Sequence, residues 1–275
     1  MAGPFGHVAA LAGLLLALGA GIAAAQDGTL RALESGDASK DWRAVGRIEI
    51  GGRGFCTGAL IAPDLVLTAA HCLFDRASGL PVNPSGLEFR AGWRNGRAEA
   101  YRKVRRGVVH PDYRYDAPDN IARVSHDLAL LQLDQAIRLP GLHPFETGDR
   151  PRMGAAVGVV SYAQGRSEAP SLQEVCHVLA LQPGVLMLSC EVDFGASGAP
   201  VFRIEDGVAR IVSVVSAKAE LATRPVALGT ALGASLELLQ GRLAAGEGVI
   251  GAAGAAPRFG QGGARESGGA RFVRP

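Results

Sequence analysis

Thr57-Gly58-Ala59-Leu60-Ile61-Ala62-Pro63-Asp64-Leu65-Val66-Leu67-Thr68-Ala69-Ala70-His71-Cys72 is the stretch on which the reading of this chain turns. Two apolar runs, Leu60-Ile61 and Leu65-Val66-Leu67, flank Ala62-Pro63-Asp64, where proline presets the φ angle that a tight turn needs. The pattern is strand, turn, strand. It ends in small residues that present one histidine beside a cysteine, and Cys56 stands upstream where it could close the loop.

The same β pattern extends in both directions. Upstream, Val45, Arg47-Ile48-Glu49-Ile50 and Phe55 lie between glycines and predict another strand pair. Downstream, Leu73 to Leu87 is loop-like, Leu87 to Trp93 and Val104 to Val109 are strands, and His110 to Ser125 is an irregular loop. Asp127-Leu128-Ala129-Leu130-Leu131-Gln132-Leu133 is a buried strand opening with a carboxylate. Residues 138–152, with three prolines, form a linker. Beyond it, Ala155 to Tyr162, Leu172 to Leu181, Val185 to Cys190, Pro200 to Ile204, Ala209 to Ser216 and Val226 to Leu228 read as strands. Six strands on each side of the linker predict an all-β protein of two barrel-like units, about 42–140 and 150–232. Residues 234–244 close the domain (42–245) as a helix, and the Gly/Ala/Arg tail, 246–275, has too little to bury to order itself.

Composition narrows the function classes. A formal charge of +2 over 275 residues gives no reason to expect a nucleic-acid partner. Val8 to Ile22 is an apolar run followed by Ala23-Ala24-Ala25-Gln26, the pattern of a signal peptide cut after Ala25, with no lasting membrane insertion. Residues 26–41 are then an N-terminal arm or a short propeptide. The expected location is secreted or periplasmic, where disulfides persist. Four cysteines fall into two local pairs, Cys56 with Cys72 and Cys176 with Cys190. Each would close a loop of about 15 residues, worth on the order of 3 kcal/mol in the chain-entropy account. No Cys-x-x-Cys occurs and the six histidines are scattered, so no metal site and no cofactor are expected.

His71, Asp127 and Ser197, the last within Gly195-Ala196-Ser197-Gly198-Ala199-Pro200, carry the chemistry. A serine hydroxyl needs a base within hydrogen-bond reach, and the base needs a buried acceptor to fix its tautomer. A glycine-flanked turn lets the amides of Gly195 and Ser197 point outward together as an oxyanion hole. Order along the chain excludes other hydrolase architectures: no histidine follows Ser197, and its flanks are not Gly-x-Ser-x-Gly.

Leu67-Thr68-Ala69-Ala70-His71-Cys72, Asp127-Leu128-Ala129-Leu130-Leu131 and Ser197-Gly198-Ala199-Pro200 resemble the three signature segments of trypsin-like (chymotrypsin-fold) serine endopeptidases. The resemblance covers roughly Trp42 to Leu243. It implies two six-stranded antiparallel β-barrels with a C-terminal helix, the active site between the barrels, and cleavage of protein or peptide substrates by a monomer. Ala196 departs from the digestive members, where an aspartate in that place pairs with a new N-terminus, so that switch cannot operate here. The chain is similar instead to the bacterial exported branch that includes glutamyl endopeptidases.

For specificity, Glu191 lies six residues before Ser197, where trypsin has its pocket acid, with Asp193 nearby. Either one facing the pocket would favour Arg or Lys at the cleaved position. If both face solvent, Ser213, Val214 and Val215 line the pocket and favour a small apolar residue. The histidine usual for glutamyl members is absent from this strand. His126 and His177 are expected to be structural. The basic cluster Arg94, Arg97, Arg102, Lys103, Arg105 and Arg106 is expected to be a solvated surface. The competing class is a non-catalytic cell-envelope binding protein on a protease scaffold. Loss of a triad residue is its usual sign, and none is lost.

Overall fold

The computed structural model of the chain describes residues 27–248 and the strand Ala270–Phe272. The expected signal peptide and the rest of the tail lie outside the described residues.

Six strands close the first barrel: β2 (Val45–Ile50), β3 (Phe55–Ala62), β4 (Leu65–Thr68), β5 (Leu87–Ala91), β6 (Ala100–Val109) and β7 (Ala129–Leu133). They hydrogen-bond in the order β2-β3-β4-β7-β6-β5 and back to β2, all antiparallel. The turn read at Ala62-Pro63-Asp64 pairs Ala59 with Leu67 and Leu60 with Val66. Ile48, Leu60, Val66, Phe89 and Leu130 are fully buried inside it. Closure removes free strand edges, which a half-apolar chain has reason to avoid.

The second unit uses β9 (Ala156–Ala163), β10 (Arg166–Gln182), β11 (Val185–Leu188), β12 (Pro200–Glu205), β13 (Val208–Leu221) and β14 (Arg224–Ala231). The pairings β9–β10, β10–β11, β11–β14, β14–β13, β13–β12 and β12–β9 run as a ring. Three short strands add to it: β1 (Arg31–Ala32) on β10, and β8 (Glu146–Thr147) and β15 (Ala270–Phe272) on β13. The last is a correction, because part of the tail expected to lack structure pairs with Ala219–Leu221. The main-chain bonds of a sheet edge do not need large side chains.

The helix expected at the end of the domain is present as α2 (Gly233–Ala244), burying Leu236 and Leu239 in the core cluster that includes the first barrel. The loop through Ser125 also contains a helical turn, α1 (Ile121–Ser125), whose N-cap Asn120 accepts a hydrogen bond from the Arg123 amide. Between the units, the Phe202 ring packs against Trp42 and Phe145 at 4.9 and 4.7 Å, and the Tyr162 hydroxyl donates to Trp93 O at 2.8 Å. The polar end of this fully buried tyrosine is thereby satisfied. Both disulfides are present as paired, Cys56–Cys72 and Cys176–Cys190.

Candidate active site

His71 follows β4 directly, in a single 3-10 turn (Ala70–Leu73) whose other residues are buried. The neighbouring Cys72 sulfur ties this turn to the start of β3. Asp127 sits between α1 and β7, almost fully buried. Its Oδ1 accepts the His71 amide at 2.8 Å and its Oδ2 accepts the His71 Nδ1–H at 2.7 Å. The Ser216 hydroxyl donates to the same Oδ2. Burial alone would raise the Asp127 carboxyl. The charge and hydrogen bonds of His71, with the bond from Ser216, outweigh it and hold the group below the ordinary carboxylate range. The acid therefore stays ionised, fixing the imidazole with Nδ1 protonated and Nε2 directed elsewhere.

Ser197 belongs to the second unit, in the turn before β12, half-buried. A Cβ placed on the next residue, Gly198, would lie 2.1 Å from Thr68 Oγ1 and 2.3 Å from Thr57 O, and its φ is +79°. Only glycine lets this turn press against the strand end that leads into His71. Gly195, at φ +99°, gives the turn its second left-handed position. Among the described residues the Gly195 and Ser197 amides have no hydrogen-bond acceptor, and the Ser197 hydroxyl makes no hydrogen bond. Two uncommitted amides beside a serine form a place where a developing oxyanion can be received.

Thr57 organises this junction, and sequence reasoning passed over it. Fully buried, it donates its amide to Ser197 O at 2.8 Å and its hydroxyl to Gly195 O at 2.8 Å. Its hydroxyl also accepts from the Tyr162 amide at 3.1 Å, while its carbonyl accepts from Thr68 Oγ1 at 2.9 Å. One first-barrel residue thus holds both ends of the Gly195–Ser197 turn. A β-branched residue after a cysteine carries no signal beyond strand propensity, so only the fold reveals it.

The specificity candidates fall on two segments, the β13 strand and the loop before Ser197. Ser213 is fully buried with its hydroxyl donated to Thr230 O, and Val214 and Val215 lie in core clusters. A register shift between Val215 and Ala217 turns the strand, so its contact with the site comes at Ser216. Glu191 and Asp193 are both exposed, and Asp193 lies 3.7 Å from Lys218 Nζ. Arg166, half-buried, donates to Ser161 O and feels both carboxylates, though burial still lowers its pKa. The acids flagged from sequence therefore have cationic company.

The His126 and His110 rings pack in a tilted arrangement with centroids 4.7 Å apart, and with Asp112 their donor atoms gather within 4.8 Å, although the sequence spreads them apart. The His110 Nδ1 already accepts the Asp112 amide. His177 bonds to Asp27. In the basic cluster, Arg94 donates to Ser39, Lys103 pairs with Glu88 and Arg106 donates to Gln132, so much of it is engaged locally.

A closed barrel, a second β unit, a C-terminal helix and this arrangement between them define the chymotrypsin-like fold. A solved structure of a Glu endopeptidase in complex with MPD superposes with a TM-score of 0.63, covering 80% of this chain and 98% of that one at 17% identity. The profile of the trypsin-like peptidase domain family matches residues 56–209, more than half of the chain, and the chain belongs to that family. Trypsin Blo t 3 of Blomia tropicalis is 29% identical over 158 residues, 54% of this chain and 53% of that protein. The glutamyl endopeptidase of Bacillus licheniformis is 25% identical over 153 residues, 54% of this chain and 46% of its own. Complement C1r-B subcomponent of Mus musculus is 33% identical over 113 residues, 39% of this chain and 15% of that protein. The matched stretches thus span 15% to 53% of these relatives' own length.

Proposed function

We propose that this chain is an exported serine endopeptidase working through Ser197, His71 and Asp127. The observation that carries this reading is the bonded His71–Asp127 pair, set against a serine turn with two uncommitted amides. His71 Nε2 takes the Ser197 proton as the hydroxyl attacks a peptide carbonyl, and the Gly195 and Ser197 amides receive the oxyanion. His71 then returns the proton to the leaving amine. Water, activated by the same imidazole, hydrolyses the acyl-enzyme. Asp127 remains a carboxylate throughout and stabilises the imidazolium. Export is supported by the two disulfides, and no helix among the described residues is long and apolar enough to cross a membrane.

The test is cleavage of a diverse peptide mixture by protein beginning at Gln26, beside its Ser197→Ala and His71→Ala variants. Each substitution is expected to lower kcat by about 10⁵–10⁶-fold while the protein remains folded. Cleavage persisting in either variant, in material free of other proteases, would overturn the assignment. The products also report specificity: cuts after Arg or Lys would credit Glu191 or Asp193, whereas cuts after small apolar residues would credit Val214 and Val215.

A further inference from the structure

The N-terminal arm makes an unusual set of bonds for a segment so near an expected processing site. Asp27 Oδ1 accepts the His177 Nδ1–H at 2.7 Å and the Ser189 hydroxyl at 2.9 Å. The Gly28 amide donates to Val175 O at 2.7 Å, and Gly28 O accepts the Gln173 side-chain amide at 2.9 Å. Arg31–Ala32 then pairs with β10, and Leu33 is fully buried. Among the described residues, every polar partner of residues 27–33 lies on β10 or at Ser189.

Those partners are the residues that hold the loop leading to Ser197. Gln173, with no exposed surface, uses its other end to accept the Glu191 amide at 2.7 Å. The Ser189 hydroxyl accepts the His177 amide at 2.8 Å, and Cys190 is bonded to Cys176. Residues 189, 190 and 191 are each fastened to β10, and the arm completes two of the three fastenings. Without it, Gln173 Nε2 loses the acceptor that fixes its amide plane, and the Ser189 hydroxyl loses its acceptor as well. A buried donor left unpaired is costly, so the side chain would turn and release Glu191.

We infer that residues 27–33 are a positioning element of the active site, holding the 189–195 loop through Gln173, Ser189 and His177, and not an inhibitory propeptide. Ala196 is buried and carries no charge, so a terminal ammonium cannot hold this loop from the following side. The arm does so from the preceding side. This inference rests on the peptidase reading for its kinetic consequence, though not for its structural one.

The full chain from Gln26 is compared with Asp27→Ala, Gln173→Leu and Asp27→Asn. Competent sites are counted by stoichiometric labelling with a serine-directed acylating reagent, so a loss of folded protein does not enter the rate. Per titrated site, Asp27→Ala and Gln173→Leu are expected to lower kcat/KM about ten-fold with KM rising, while Asp27→Asn, which keeps an acceptor, recovers most of it. In a Ser197→Ala background, amide exchange of residues 189–195 is expected to accelerate about ten-fold in the same two variants, with 129–133 unchanged. Rates per site within two-fold of the parent, or a gain of activity in Asp27→Ala, would overturn the inference. If the parent neither labels nor cleaves, the peptidase reading fails, and the exchange comparison alone decides the arm: unchanged exchange at 189–195 overturns its role.

Discussion

The two β units bring chemistry to the cleft in opposite ways. The first places His71 and Asp127 at strand ends of a closed barrel, joined to each other by two hydrogen bonds and to Cys56 by a disulfide next door. From the other side it takes the Ser216 hydroxyl on the Asp127 carboxylate and the Thr230 hydroxyl on the Asp127 and Val124 carbonyls. The second places Ser197 in the connection between the short strands β11 and β12, and that turn is held from outside by Thr57 of the first barrel. In the proposed mechanism the base, His71, is pre-set by its own barrel, and the nucleophile, Ser197, is borrowed into position. A rigid half thus carries the group whose tautomer must not vary. The half with the adaptable loop carries the group that must follow the substrate.

The most severe way to break the self-sufficient half is Asp127→Asn. The amide would hold His71 in the wrong tautomer with little change in packing, and kcat is expected to fall about 10⁴-fold, read by steady-state cleavage. A fall of less than a hundred-fold would mean that the imidazole is oriented by something else. The borrowed half is tested by Thr57→Val, which keeps the strand amide and removes the hydroxyl bonds to Gly195 O and Tyr162 O and from Tyr162 N. An approximately ten-fold loss in kcat is expected, largely restored in Thr57→Ser. An unchanged rate would show that the backbone bond to Ser197 O suffices.

The gentlest test uses pH. Burial and the neighbouring His126 depress the His110 pKa below its ordinary 6.5, opposed by Asp112 and aided by Arg242. The unfolded chain then binds the proton more readily, so stability is lost as pH falls from about 6.5 toward the lower folded value. Asp127 is depressed too, and its contribution is lost only as pH falls below the ordinary carboxylate value of 3.8. A thermal midpoint declining by a few degrees between pH 7 and 5, and flatter in His110→Asn, is the expected result. A second decline below about pH 4 is expected as Asp127, Glu88 and Asp75, all held below their ordinary values, take up protons.

What was legible in the sequence follows the same division. His71 and Asp127 stand in contiguous apolar segments, where strand identity and residue role coincide, and Ser197 is marked by its flanking glycines. Both disulfides could be paired because each links sequence neighbours across a turn. On the strand of Ser213, Val214 and Val215, counting by alternation stops at Val215, because a register shift follows it and brings Ser216 to the site. Thr57 and Gln173 were invisible for another reason. Their roles lie in hydrogen bonds to backbone 138 and 18 residues away, which no local pattern encodes. Strands β1 and β8, of two residues each, exist only through the partners they join, and propensity has nothing to register there.

The Cys56–Cys72 bond also sets an order of events in time. Cys56 precedes Thr57 and Cys72 follows His71, so one oxidation event staples the residue that tethers the Ser197 turn to the base of the proposed mechanism. A newly made chain still carrying thiols would possess every reacting group yet lack the cross-link that keeps them in step. Thiol pairing would then act as a maturation cue, and the cell that synthesises the chain would be shielded from it until it reaches an oxidising space.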